Sequence, residues 1–191
     1  MVVYSFMGIS PGSALVSAPI GEAWHDFYLM AGTAAVTLVG LLFVALSLHV
    51  QILFRPEHKD FRELAAQAFQ GYLYVLITAL VFLLPAENGK ILAVMYGVVN
   101  LAMLGRALAR MPAFFSAHRA RGGAARQRWR FFIPAIAYLL GLLAFVQWMT
   151  GDTHAGFGFF SPVVMMLAAS TRTSWDLLEY VGKARDGRSG D

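Results

Sequence analysis

"GTAAVTLVGLLFVALSLHVQIL", residues 32–53, runs for 22 residues without a charged side chain. About 20 consecutive apolar residues in a helix cross the hydrocarbon core of a bilayer, so the stretch is long enough to span and too apolar for an ordinary soluble helix. Extended at both ends it defines a first span over 27–54, closed by Arg55-Pro56 because proline disfavours helix in the residue before it. The whole chain agrees: 58% of its residues are apolar and 14% charged, against about 45–50% and 25% in soluble domains. The mean hydropathy is +0.60. These values predict an all-α protein, a polytopic membrane helical bundle with one membrane domain in 191 residues.

Four more hydrophobic stretches follow. "PEHKDFRELAAQ" (56–67) opens with proline at a favourable first-turn position and leads into a second span over 68–84. The tight turn "PAENGK" joins it to a third span, 91–109, so these two should form an antiparallel hairpin. "RMPAFFSAHRARGGAARQRWR" (110–130) reads as an extramembrane loop of about twenty residues, marked by arginines and Gly122-Gly123. "FFIPAIAYLLGLLAFVQWM" (131–149) is the fourth span, with Pro134 near its start, where the missing N–H costs least. The fifth stretch, 159–182, is strongly apolar for only about fourteen residues before charge enters. Three parts result: an extracytoplasmic N-terminal segment 1–26, a transmembrane domain 27–182 and a cytoplasmic tail 183–191. The first twenty residues have no basic leader, which favours an uncleaved peripheral segment over a signal peptide.

Lysine and arginine accumulate in cytoplasmic loops, which orients the bundle. Residues 2–26 contain neither. Arg55, Lys59 and Arg62 follow span one, Lys90 alone follows span two, and Arg110, Arg119, Arg121, Arg126, Arg128 and Arg130 follow span three. "TGDTHAGFG" (150–158) has none, and the tail has Lys183, Arg185 and Arg188. Five spans with the N-terminus outside and the C-terminus inside fit every loop. The alternative of four spans, with the fifth stretch lying at the interface, would put the C-terminal basic cluster outside. The basic balance, with a pI of about 9.6, is thus spent on topology and on anionic lipid at the cytoplasmic face, and no nucleic-acid partner is expected.

Residues three and four apart share a helix face. Thr33, Thr37, Gly40, Val44, Ser47 and Gln51 make one stripe of small or hydrogen-bonding side chains on span one. Because lipid tails remove the hydrophobic incentive, membrane helices associate through small residues and inter-helical hydrogen bonds, so the stripe is expected to face protein. Its plainest role is a packing seam inside the bundle; its alternative is a water-lined path. Comparable stripes occur on span two (Gln67, Gly71, Tyr74, Thr78) and span three (Ala93, Gly97, Asn100, Leu104, Ala107). Asn100 is near mid-membrane, where an unpartnered amide costs about 2–7 kcal/mol, so it must bond to a helix, a backbone carbonyl or water.

Ionisable groups inside a span point to function by default, and none sits at the centre of the first four, which argues against a proton-coupled transporter. Arg106 and His49 belong to the cytoplasmic ends of their spans, His49 opposite the stripe. Arg172 and Asp176, four residues apart on the fifth stretch, can pair. The simplest expectation is a span ending near Ser170 with Trp175 anchoring its last turns in the headgroup layer; the alternative is a helix that continues to Tyr180 and holds the pair in a cytoplasmic vestibule. No HExxH, GxSxG, phosphate-binding glycine loop or aspartate-rich metal motif occurs, and with no cysteine and only His49 inside a span the chain is not expected to be an enzyme or to hold haem. No cofactor is expected, and His25 and His154, on one side, would make at most a weak external metal site.

The lead "WHDFY" (24–28), the helix "AGTAAVTLVGLLFVALSLHV" (31–50) and the segment "TRTSWDLLEYV" (171–181) resemble small, poorly characterised bacterial multi-pass membrane proteins. The resemblance implies a bacterial inner membrane and carries no activity. The function expected is a membrane subunit that associates with itself or with a membrane partner; the alternative is a small channel or transporter lined by Thr33, Thr37, Ser47, Thr78 and Asn100.

Overall fold

The computed structural model describes residues 20–50, 59–85, 89–121, 125–150 and 156–186. They form α1 (Ile20–Leu48), α2 (Lys59–Leu83), α3 (Gly89–Arg121), α4 (Ala125–Met149) and α5 (Gly156–Asp186). Stretches over Trp24–Leu48, Phe61–Leu83, Gly89–Arg110 and Phe132–Met149 are long and apolar enough to cross a membrane. A helix closes its backbone hydrogen bonds within its own segment, as hydrocarbon requires. The chain is therefore a membrane-embedded helical protein.

Successive helices run antiparallel. α2 packs on α1 and α5, α4 packs on α5 and α3, and α1 touches α5 only lightly. The resulting four-helix body of α2, α5, α4 and α3 carries α1 on the outside of α2. Tyr28 stacks on Phe82 (4.4 Å between ring centroids, 8° between planes), and Phe82, Tyr96, Phe159 and Trp148 continue edge-on and tilted contacts across four helices at that level. A second, smaller core joins Leu42, Phe61, Ala65, Ala68, Tyr72 and Leu177 toward the other end. Between them the backbones approach through small residues: a Cβ on Gly71 would run into Ser170, and one on Gly141 into the Asn100 amide.

Three expectations change. The stretch 110–130 is not a twenty-residue loop: α3 continues to Arg121 and α4 begins at Ala125. Arginine and alanine are good helix formers; charge keeps such a segment out of hydrocarbon without stopping the helix. Pro134 consequently lies inside α4 rather than near its start. The helix α5 itself continues past Ser170 and runs 31 residues to Asp186, and it is not among the four stretches long and apolar enough to cross. Its Phe159 lies 5.4 Å from Phe82 and its Tyr180 5.6 Å from Phe61. The same 21-residue interval separates each pair along α2 and α5, about 32 Å at 1.5 Å per residue, so α5 packs alongside α2 over that length. α1, for its part, starts at Ile20, so the expected N-terminal segment is partly helical; residues 1–19 lie outside the described residues.

Candidate functional site

The three polar stripes part company in the fold. On α2, Gly71, Tyr74 and Thr78 are buried and Gln67 is half-buried; on α3, Ala93, Gly97 and Asn100 are buried. These two stripes face each other's side of the bundle. On α1 the opposite holds: Thr33, Thr37, Gly40, Val44 and Ser47 are all exposed, and nothing lies within 4 Å of a Cβ built on Gly40. The helix instead buries Tyr28, Ala31, Gly32, Ala35 and Leu42, a second small-residue face turned nearly half a revolution away. The expected seam inside the bundle is therefore not formed by the α1 stripe. Its hydroxyls show why no partner helix is needed: Thr33 donates to the Leu29 carbonyl, Thr37 to that of Thr33 and Ser47 to that of Phe43, each at 2.8 Å. A hydroxyl satisfied by its own turn carries no demand for burial. Gln51 lies outside the described residues.

Asn100 behaves as its depth requires. It is fully buried, its Oδ1 accepts from the Tyr74 hydroxyl at 2.9 Å, and its Nδ2 donates to the Tyr96 carbonyl at 2.9 Å. Gly141 of α4 closes over the amide, so one side chain ties α3 to α2 and fixes where α4 rests. Tyr138 of α4 meets Tyr74 edge-on at 5.1 Å. The hydroxyls of Tyr28, Thr78 and Tyr96 are buried with no hydrogen-bond partner among the described residues. The tyrosines were not legible as a group, because Tyr28, Tyr74, Tyr96 and Tyr138 lie on four helices and only the packing collects them.

A common lumen does not exist for the residues expected to line a path. Thr33, Thr37 and Ser47 look outward from α1, whereas Thr78 and Asn100 are sealed in the core. The group expected at the cytoplasmic ends also divides. His49, Arg172 and Asp176 line one groove of about 1300 Å³ between α1 and α5, floored by Phe61 and Tyr72 of α2. Arg106, exposed on α3, does not line it. His49 Nδ1 donates to the Ala45 carbonyl at 2.9 Å, and as expected the ring lies on the side of α1 away from the stripe. Arg172 is exposed and Asp176 half-buried, so a deeply buried ion pair is not part of the structure. Trp175 is 70% exposed.

Outside the groove, α2 and α3 are further joined by Arg110, which donates to Gln70 Oε1 at 3.0 Å. His25 contacts Asp26 at 3.4 Å on the exposed start of α1, and among the described residues no group of His, Asp and Glu is arranged to hold a metal ion; His154 is not among them. No family model matches the chain, and no curated protein or solved structure matches it either.

Proposed function

We propose that the chain is a five-span, non-catalytic subunit of a bacterial inner membrane, N-terminus outside and C-terminus inside, which assembles with a second copy of itself or with a membrane-protein partner through the outward stripe of α1. The observation that carries the reading is the exposure of that stripe: only 17% of the apolar window of α1 is buried, against 50% for α2. Thr33, Thr37, Gly40 and Ser47 therefore present a narrow, low-relief face to the bilayer, and the flat spot at Gly40 lets another backbone approach closely. Small residues at helix spacing are what lets helices associate where lipid supplies no hydrophobic incentive. The fifth span is supported by the match in length and level between α5 and α2, and by the basic residues of the tail. Anionic lipid at the cytoplasmic face would accompany those arginines.

Mass measurement of the purified 20.9 kDa chain in a membrane mimetic tests the assembly. The wild type is expected as a dimer or larger, Gly40→Leu as a monomer, and Val98→Leu on the exposed face of α3 unchanged. A monomeric wild type, or a Gly40→Leu variant that still assembles, refutes the reading.

A further inference from the structure

The groove between α1 and α5 is separate from the α1 stripe. On one side its wall is Ala34, Leu38, Leu41, Leu42 and Ala45; on the other it is Val164, Leu167 and Ala168. Its charged or ionisable lining is His49 of α1 and Arg172, Asp176 and Glu179 of α5, and the Tyr72 hydroxyl lies 3.2 Å from Ser174 Oγ on the same stretch of α5. Along α1 the lining runs from Phe27 to His49, about 33 Å, and along α5 from Val164 to Val181, about 26 Å, at 1.5 Å per residue. One leaflet of a hydrocarbon core about 30 Å thick is about 15 Å deep. The groove is thus longer than one leaflet, apolar along Phe27 to Leu46 of α1 and Val164 to Ala168 of α5, and charged toward His49 and Glu179.

The charges at the mouth discriminate among headgroups. Arg172 has no hydrogen bond or ion pair among the described residues, and its planar fork suits a phosphate. Two carboxylates, Asp176 and Glu179, stand within one to two turns of it. They take part in other interactions already, but a carboxylate accepts several hydrogen bonds. A headgroup bearing only a negative charge would meet Arg172 and be opposed by both acids; a purely cationic one would be opposed by Arg172. A phosphate joined to a primary amine answers both signs, and the amine N–H groups supply the charge-assisted donors that a quaternary ammonium lacks. Trp175, exposed at the same level, suits a headgroup boundary.

We propose that this groove binds one bilayer phospholipid with an amine-bearing zwitterionic headgroup, an acyl chain lying between α1 and α5, the phosphate on Arg172 and the amine toward Asp176 and Glu179. The test is native mass spectrometry of the full chain in mild detergent, titrated in turn with phosphatidylethanolamine, phosphatidylcholine and phosphatidylglycerol of identical acyl chains. Phosphatidylethanolamine is expected to bind about tenfold tighter than the other two, the worth of one charge-assisted hydrogen bond. Arg172→Gln should weaken all three lipids alike, and Asp176→Asn with Glu179→Gln should remove the preference and move it toward phosphatidylglycerol. Ala168→Trp, which fills the exposed groove wall, should abolish the tight site for all three, with circular dichroism reporting an intact fold. Equal binding of the three lipids overturns the proposal, as does a preference that survives Asp176→Asn with Glu179→Gln. So does an absence of lipid adducts, whether the groove is then covered by a second copy, visible as a dimer in the same spectra, or by residues of the chain itself.

Discussion

Gly141→Ala is the sharpest test of the packing. A methyl there would stand 2.7 Å from Asn100 Cγ and 2.7 Å from the Tyr96 hydroxyl, and would overlap the Asn100 carbonyl oxygen. The amide cannot swing aside cheaply, because it is held by Tyr74 on one side and by the Tyr96 carbonyl on the other. Either α4 withdraws from α3 or a buried hydrogen bond breaks. Overpacking costs about 1–3 kcal/mol and a lost hydrogen bond between membrane helices about 0.6 kcal/mol, with a maximum near 1.7. Alanine regains up to about 1 kcal/mol of helix propensity over glycine. The balance is a loss of about 1–2 kcal/mol, and at about 2–4 °C per kcal/mol for a chain of this size the melting temperature in detergent should fall by about 2–8 °C. Gly105→Ala, with open space around it, should cost nothing. In an Asn100→Ala background the added methyl loses its main obstacle, so Gly141→Ala should cost less there by at least about 0.5 kcal/mol, the usual coupling of residues in contact. A Gly141→Ala protein as stable as wild type, or strict additivity with Asn100→Ala, would refute the account of the α3–α4 contact.

Tyr74→Phe removes the hydroxyl that serves Asn100 Oδ1 while keeping the ring against Tyr138, and should lower stability by about 0.6–1.7 kcal/mol in a detergent unfolding titration; no change would mean that the amide finds another donor. Single cysteines placed at Lys90 and Thr150 should react with an impermeant reagent from outside, and those at Glu63 and Gly182 only from inside. Gly182 labelled from the same side as Thr150 would remove the fifth crossing.

Composition and hydrophobic length carried the membrane assignment and the all-α architecture, because hydrocarbon admits only backbones that satisfy themselves and α1 to α4 are apolar over the required distance. Asn100 was also legible as a bonded, buried group, since an amide at that depth has no water to fall back on. The continuation of α5 was less legible: its charges lowered the apolar signal after Ser170, yet Arg172, Asp176 and Glu179 are good or tolerable helix residues and leave the helix by the groove rather than by ending it. What the sequence by itself could not decide is which face of α1 the bundle takes. That helix has two small-residue faces, one of Ala31, Gly32 and Ala35 with Tyr28, the other of Thr33, Thr37, Gly40 and Ser47, and periodicity treats them alike. Tertiary structure chose the first, where Tyr28 stacks on Phe82 and a Cβ on Gly32 would stand 3.0 Å from Ala79 Cβ. The second could be left outward because each hydroxyl is already bonded within its own turn, so that exposure to lipid leaves no donor unsatisfied.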